Sequence, residues 1–183
     1  MASKEAHQST GWAAGLIAAA VVSQASAPGP LHVWSILAFL MGYAGGGAPD
    51  WLELSWWSSG RGRHSWIPHR TVTHWGIAWI ALLVISYYRL RHSPVMALPF
   101  GFAAGGIMHL LADWPNPLGV PWLWVSRRHS LNWWNSGRAD WIIMGTAWTV
   151  ALVMADHAWF HSTGIHTIER LPAFSMVSAY RNH

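Results

Sequence analysis

One histidine and one aspartate, His109 and Asp113, stand four residues apart in a strongly apolar stretch, GGIMHLLADWPNPLGV. On an α-helix, side chains at this spacing lie on one face, one above the other. Neutral imidazole and carboxylate are good ligands for Zn, Mn, Fe or Ni, and ionisable groups inside a membrane are costly and therefore functional candidates. The pair predicts part of a metal site. The alternative is a hydrogen-bonded contact that only ties helix ends together.

Further polar groups accompany this pair elsewhere in the chain. The motif HRTVTH contributes His69, Arg70 and His74, and the motif PDWLE contributes Asp50. His69 and His74 are five residues apart, so they reach one cluster only if His69 lies at the helix cap, outside the regular helix. Each motif alone also has a simpler interpretation. An Asp after a proline is a common turn or cap residue, and a basic segment containing Trp is a common interfacial helix start.

The composition narrows the chemistry. The chain has 183 residues and no cysteine, which excludes thiolate nucleophiles, Fe–S clusters and Cys-type zinc sites. Its 12 His outnumber its 7 Asp plus Glu, which favours a metal site built from imidazole and carboxylate. The net charge of +4 comes from scattered Arg in short loops. Basic membrane loops account for that pattern, so nucleic acid is not an expected partner.

Five apolar segments would have to position these groups. The chain is 52% hydrophobic and only 10% charged, whereas soluble domains are about 25% charged. Each segment approaches the roughly 17–25 residues of a bilayer crossing, and the 16 Trp suit the interfaces. We therefore predict an all-α, polytopic membrane helix bundle of about five transmembrane helices. The predicted segments are about 11–27, 31–48, 71–88, 95–113 and 140–160.

The connections between these segments predict the domain organisation. Two long interfacial loops, 49–70 and 114–139, fall on one side of a five-helix bundle, together with the N-terminus. Residues 1–160 are expected to form a single membrane-embedded domain, and 161–183 a C-terminal juxtamembrane tail. The first segment is expected to be retained, although ASA at 25–27 is similar to a signal-peptide cleavage site, because a proline would follow the cut.

The same topology gathers the polar residues near one membrane face. His7 precedes the first segment, Asp50 follows the second, His74 opens the third, and His109 and Asp113 close the fourth. Seven Lys and Arg lie on that side and four on the other. The positive-inside rule therefore places this face in the cytoplasm.

Three arginines are candidates for substrate binding. Arg70 has the fixed donor geometry that suits phosphate or carboxylate. Arg127 and Arg128 lie in the loop WVSRRHSLNWWNSGR, and paired Arg suits an anionic phosphate. The alternative for this loop is an interfacial segment anchored by its Trp.

The chain resembles the YdjM-like family of bacterial inner-membrane, metal-dependent hydrolases in the order of four motifs. They are HQSTG (7–11), APDWLE (48–53), HRTVTH (69–74) and GGIMHLLADWPNPLGVPWLW (105–124). The resemblance covers roughly residues 5–140, and the family's usual patterns are THxxxG, PDxD, HRGxTHS and GxxxHLxxDxxTxxG. The ligand order is also similar to that of zinc-dependent phospholipase C and single-strand nucleases, which implies phosphoester hydrolysis.

The chain departs from these patterns in several of the motifs. Glu53 replaces the second Asp of PDxD, with one extra residue between, so it is left out of the expected ligands. Thr71 replaces the Gly of HRGxTHS, and Trp75 replaces its Ser. Asn116 stands where Thr is usual.

The residues and the resemblance together predict a membrane-embedded, metal-dependent hydrolase of the bacterial inner membrane. Its substrate would be a phosphoester or a lipid-linked molecule, and its divalent metal Zn, ahead of Mn, Fe or Ni. The expected metal ligands are His7, Asp50, His69, His74, His109 and Asp113. The expected catalytic residues are Asp50, His74 and Asp113, and the expected substrate-binding residues are Arg70, Arg127 and Arg128.

Two other function classes are open. The chain could be a non-catalytic membrane subunit or scaffold, with a structural or vestigial metal site and Trp-rich loops that dock a protein partner. It could also be a haem-binding electron carrier, with His74 and His109 as axial ligands. Asp50 and Asp113 would be poor neighbours for a haem.

Overall fold

The structure is a computed structural model that describes residues 2–26, 32–58, 62–66, 70–135 and 137–161. Within these ranges the chain forms five α-helices and one short β-hairpin. The elements are α1 (Lys4–Ser26), α2 (Val33–Trp51), β1 (Ser55–Ser58), β2 (Gly62–Ser65), α3 (Gly76–Leu90), α4 (Ala97–Asp113) and α5 (Asp140–Asp156). Short 3-10 turns precede α3 (Val72–His74) and α4 (Pro94–Met96), and a π-helical turn (His157–His161) follows α5. Apart from His161, the predicted tail 161–183 lies outside the described residues.

The helical bundle was predicted, but the structure supports fewer membrane crossings than the sequence suggested. Among the described residues, two helical stretches, Pro94–Asp113 and Asp140–His161, are long and apolar enough to cross a bilayer by length and composition. Their mean hydropathies are 1.7 and 1.2. The apolar helix Gly76–Leu90 is shorter. Glycine, proline and tryptophan dilute the hydropathy of α2, and polar residues dilute the start of α1.

The first helix begins earlier than the apolar pattern predicted, at Lys4 instead of near residue 11. The hydroxyl of Ser3 accepts the backbone N–H of Ala6 at 3.1 Å, which satisfies one of the free donors at the helix start. This added turn carries His7 inside the helix and buries it.

Small residues form the inside of the bundle. α2 packs against α1 and α4, α1 also contacts α4 and α5, and α3 packs against α4. A Cβ added to Gly42 would lie 2.4 Å from the Cα of Gly15, and one added to Gly105 would lie 2.1 Å from the carbonyl oxygen of Gly42. Such close backbone approach is typical of helices that associate in membranes. Alanine supplies most of the remaining buried apolar positions.

Large apolar side chains cover the outside of the bundle instead. They are exposed on α3 (Ile77, Ile80, Val84 and Ile85) and on α5 (Trp141, Ile142, Val150, Leu152 and Val153). A soluble monomer rarely exposes apolar surface on this scale. The arrangement, with small residues inside and large apolar residues outside, suits a bundle that faces lipid.

The two long connections meet at one end of the bundle. β1 and β2 pair antiparallel, with Ser55 opposite Ser65, and add a short hairpin to the helical fold that was predicted. The connection after α4 folds back on itself, since Val120 and His129 exchange backbone hydrogen bonds of 2.9 Å. The N–H of Gly76 donates to the carbonyl of Pro121 and so fastens this connection to the start of α3.

Candidate functional site

Seven polar side chains converge where α1 begins and where α2 and α4 end. We define the polar cluster as His7, Asp50, Glu53, Arg70, His74, His109 and Asp113. Six of the seven are buried, and the Asp50 side chain is 31% exposed. Five of the six predicted metal ligands lie in this cluster; the sixth, His69, lies outside the described residues.

The spacing of His109 and Asp113 brings both side chains to the centre of the cluster. The Nε2 atom of His109 lies 3.9 Å from Oδ2 of Asp113 and 3.8 Å from Oδ1 of Asp50. The Nε2 atom of His7 lies 3.5 Å from Oδ1 of Asp113. Imidazole nitrogens from α1 and α4 thus face carboxylate oxygens from α2 and α4 without direct hydrogen-bond contact.

The other ring nitrogen of His109 fixes the orientation of that imidazole. Nδ1 donates to the carbonyl oxygen of Gly46 on α2, at 2.8 Å. Because Nδ1 carries the proton, Nε2 presents a lone pair to Asp50 and Asp113. Metal-binding histidines almost always hold their second nitrogen in this way.

The 3-10 turn before α3 positions the His74 side chain beside Asp50. Its Nε2 atom lies 3.5 Å from Oδ1 of Asp50, and its Nδ1 atom lies 3.4 Å from Oε1 of Glu53. The hydroxyl of Thr73 lies 3.1 Å from the same Nδ1 atom. His74 therefore bridges two acidic residues from the end of α2, one partly exposed and one fully buried.

Arg70 is a fully buried cation that joins three segments. Its Nη2 atom donates to Oδ2 of Asp113, and its Nη1 atom donates to the carbonyl of Gly119 at 2.7 Å. Its backbone N–H donates to Oε1 of Glu53 at 3.1 Å, and its φ of 59° turns the chain sharply at that point. The guanidinium is thus directed into the protein, and the predicted role of Arg70 in holding substrate stays a prediction.

The charges of the polar cluster do not balance by themselves. Three carboxylates accompany one guanidinium, so two negative charges remain when the imidazoles are neutral. Buried charge is normally paired or bound to a metal. A divalent cation would supply the missing charge.

Unsatisfied polar atoms identify where a cation would fit. Within the described part of the chain, Nε2 of His109, Oδ1 of Asp50 and both ring nitrogens of His7 are buried and make no hydrogen bond. Each of three groupings places one ligand atom per residue within 4.8 Å of the others. They are His7–Asp50–His109, His74–His109–Asp113 and Asp50–Glu53–His74. The residues present therefore fit a divalent transition metal.

A haem does not fit the same histidines. The ring centroids of His74 and His109 are 5.2 Å apart and the rings meet edge to face. This contact leaves no space for a macrocycle between them, so the structure does not support a haem carrier.

The remaining predicted residues lie away from the cluster's interior. Arg127 and Arg128 are exposed on the connection after α4, and neither is among the side chains that build the cluster. Their predicted role in substrate binding stays a prediction. Asp140, at the start of α5, is buried and accepts the backbone N–H of Ser3 at 2.8 Å.

Sequence reasoning missed the importance of Glu53. Its altered spacing counted against it, but the extra residue is absorbed where α2 ends. The N–H of Leu52 still bonds to Ala48, and the N–H of Glu53 bonds to Asp50 in a tight turn. The second acidic residue of the short motif PDWLE was the sequence signal that could have identified it.

Comparison with known proteins agrees with the resemblance in the motifs. The chain matches the family described as YdjM inner membrane protein over residues 1–180. No curated protein and no solved structure matches the chain. The family description associates the chain with the lipid bilayer of an inner membrane.

Proposed function

This chain belongs to the YdjM inner membrane protein family, and on that premise we propose that it is a membrane-embedded, metal-dependent hydrolase. Its substrate is a phosphoester or a lipid-linked molecule, and its metal is a divalent ion, Zn ahead of Mn, Fe or Ni. The observation that carries the proposal is the set of buried imidazole and carboxylate atoms without hydrogen bonds in the polar cluster.

The proposed metal ligands are His7, Asp50, His74, His109 and Asp113, with His69 as the predicted sixth. When held by these residues, a divalent cation would supply a water of lowered pKa and polarisation of a phosphoryl oxygen. The protein residues supply the rest. Asp50 is the partly exposed member of the cluster, and this supports a role for it in accepting a proton from water on the open side. Asp113 and His74 complete the predicted catalytic set, each held by a buried neighbour.

The proposed setting is a multi-pass protein in the bacterial inner membrane. All five helices cross or enter the bilayer, residues 1–160 form one domain, and 161–183 form a juxtamembrane tail. The large apolar side chains exposed on the outer surface of α3 and α5 support this topology. The Lys and Arg bias of the sequence supports a cytoplasmic position for the polar cluster.

A non-catalytic membrane subunit is the second candidate, and one observation favours it. Both oxygens of Asp113 already accept hydrogen bonds, Oδ1 from the N–H of Ala2 at 3.0 Å and Oδ2 from Arg70. A carboxylate held this firmly suits a structural metal with a closed shell. In that case the Trp-rich loops would dock a protein partner.

The metal content of the purified protein tests whether the polar cluster binds a metal, as both candidate functions require. The protein is purified in detergent without a His tag or chelator, and its metals are measured by mass spectrometry. We expect near-stoichiometric transition metal in the wild type, a large loss in His109→Ala, and no loss in the control His161→Ala, whose side chain is exposed. Absence of metal from the wild type would overturn the proposal.

Turnover then separates the hydrolase from the subunit. Phospholipid and lipid diphosphate substrates are incubated with the wild type and with Asp50→Asn, with and without chelator. Release of phosphate or of a phosphorylated headgroup that needs both metal and Asp50 supports the hydrolase. Bound metal with no turnover of any phosphoester supports the non-catalytic subunit.

A further inference from the structure

An open apolar groove lies between the start of α3 and the connection that follows α4. Its volume is about 650 Å³, and its walls include Thr71, Trp75 and Ile77 on one side and Leu123 and Trp124 on the other. These side chains present an almost wholly apolar lining. The groove is separate from the polar cluster, since none of its lining residues belongs to that cluster.

Hydrogen bonds between the two walls hold the groove in shape. The indole N–H of Trp75 donates to the carbonyl of Leu123 at 3.0 Å, and the N–H of Ile77 donates to the carbonyl of Trp122 at 3.1 Å. Binding sites for small apolar groups are commonly preformed in this way. The groove is thus built into the fold of both segments.

The groove adjoins the polar cluster through one short turn. Thr71 and Trp75 line the groove, while His74 between them lies in the cluster. Arg70, directly before Thr71, bonds to Asp113 and to Gly119. A molecule lying in the groove therefore contacts the residues next to two members of the cluster.

The surroundings of the groove indicate what would occupy it. Ile77 is 41% exposed and continues into the exposed apolar face of α3, at Ile80 and Val84, so one end of the groove is continuous with the lipid-facing surface. At its other wall, the N–H of Arg127 donates to the carbonyl of Trp124 at 3.0 Å. This turn places the exposed Arg127–Arg128 pair beside the apolar wall. An apolar groove with cationic side chains at its edge matches a lipid that has an apolar chain and an anionic headgroup.

We propose that this groove binds one acyl chain of an anionic phospholipid, with the lipid phosphate against Arg127 and Arg128. The groove would hold the acyl chain beside the turn that carries His74. The proposal deepens the proposed function, on which it rests for its catalytic meaning, by naming an anionic glycerophospholipid as the substrate class. Lipid binding itself does not require the metal.

The first test measures lipid retention by native mass spectrometry. Detergent-purified protein is titrated with dioleoyl phosphatidylglycerol or with dioleoyl phosphatidylcholine, which differ in headgroup charge. We expect phosphatidylglycerol to be retained about tenfold more tightly, because each basic residue near an anionic headgroup adds attraction. Arg127→Gln with Arg128→Gln should remove this preference, whereas the control Arg138→Gln should keep it. Equal retention of the two lipids by the wild type would overturn the assigned head site.

A matched tryptophan pair tests the apolar wall. Trp124 is 66% exposed in the groove, and Trp141 is 70% exposed on α5, away from it. We expect Trp124→Ala to weaken phosphatidylglycerol retention about tenfold, since it removes apolar contact with the chain. Trp141→Ala should leave retention unchanged. An equal effect of the two substitutions would mean general contact with lipid and would overturn the groove.

Photolabelling keeps the proposal testable if a variant does not fold. Wild-type protein in phosphatidylglycerol vesicles carrying a diazirine on one acyl chain is irradiated and digested. We expect the label on the segments 75–77 and 123–126. Label spread evenly over the outer faces of α3 and α5 would overturn the proposal. A bound protein, and not lipid, at the segments 75–77 and 123–126 would also overturn it.

The metal variant distinguishes failure of this proposal from failure of the proposed function. His109→Ala is expected to lose metal but to retain phosphatidylglycerol like the wild type. Wild-type protein that retains phosphatidylglycerol selectively but binds no metal would leave the groove standing and overturn the hydrolase. Wild-type protein that binds metal but does not retain phosphatidylglycerol selectively would leave the hydrolase standing and overturn the groove.

Discussion

The imidazole rings of His7 and His109 are stacked, with centroids 3.9 Å apart and planes inclined by 13°. One ring comes from the second turn of α1 and the other from the last turns of α4, so the stack joins the two helices at the polar cluster. The contact has two separable contributions. The ring faces pack, and the nitrogens are directed at Asp50 and Asp113.

A substitution that keeps the ring and removes the nitrogens separates these contributions. We expect His7→Phe to retain the stack and a melting temperature close to that of the metal-free wild type. Its metal affinity should fall by at least about tenfold, because one ligand is lost. The measurement is metal competition against a chelator, with thermal unfolding in detergent as the control for folding. Unchanged affinity in His7→Phe would remove His7 from the ligand set.

Replacing Arg70 tests its role as the internal partner of Asp113. Arg70→Gln leaves a buried carboxylate without its cation, and breaking a buried ion pair costs about 3–5 kcal/mol. The control Arg127→Gln changes an exposed side chain and should cost less than about 0.5 kcal/mol. Denaturant unfolding of both variants measures the difference. Equal stability of the two variants would show that Arg70 is not needed to compensate Asp113.

The buried carboxylate of Glu53 tests whether His74 needs a second partner. Glu53→Gln keeps the size of the side chain but removes the charge that faces Nδ1 of His74. We expect metal affinity to fall about 10–100-fold, as is usual when the outer partner of a metal-binding histidine is lost. Glu53→Asp should recover part of the loss. A substitution that lowers stability but leaves metal affinity intact would limit Glu53 to bonding the backbone of Arg70.

The close helix contacts in the bundle predict a sharp difference between two glycines. Gly42→Ala places a methyl group against the backbone of Gly15 and should destabilise the protein by about 1–3 kcal/mol. Gly145→Ala, on the outer helix α5, meets nothing within 4 Å and should be neutral or slightly stabilising. Thermal unfolding in detergent compares them. Similar melting temperatures would mean that α1 and α2 can move apart without loss.

Much of the fold follows from local patterns that do not depend on tertiary contacts. Apolar runs predicted all five helices, and the i, i+4 spacing of His109 and Asp113 predicted their shared face. The start of α1 was misplaced because Ser3 caps a polar first turn that no apolar periodicity marks. The β-hairpin was missed because its two four-residue strands lack a regular apolar alternation.

The roles of individual site residues were harder to predict from the sequence, because they depend on the direction in which each side chain points. A motif comparison placed Glu53 out of register, yet the turn after α2 returns it to His74. Arg70 has the residue type of a phosphate ligand, but a positive φ directs its guanidinium inward to Asp113. Neither the turn nor the φ value is encoded in residue spacing alone.

The backbone N–H groups of Ala2 and Ser3 donate to Asp113 and to Asp140. The first residues of the chain are therefore fastened across the bundle, at the level of the polar cluster. An affinity tag or fluorescent fusion joined directly before Ala2 would have to pass this point and would pull on Asp113. Comparing N-terminal tags of different sizes would show how much displacement of Ala2 and Ser3 the polar cluster tolerates.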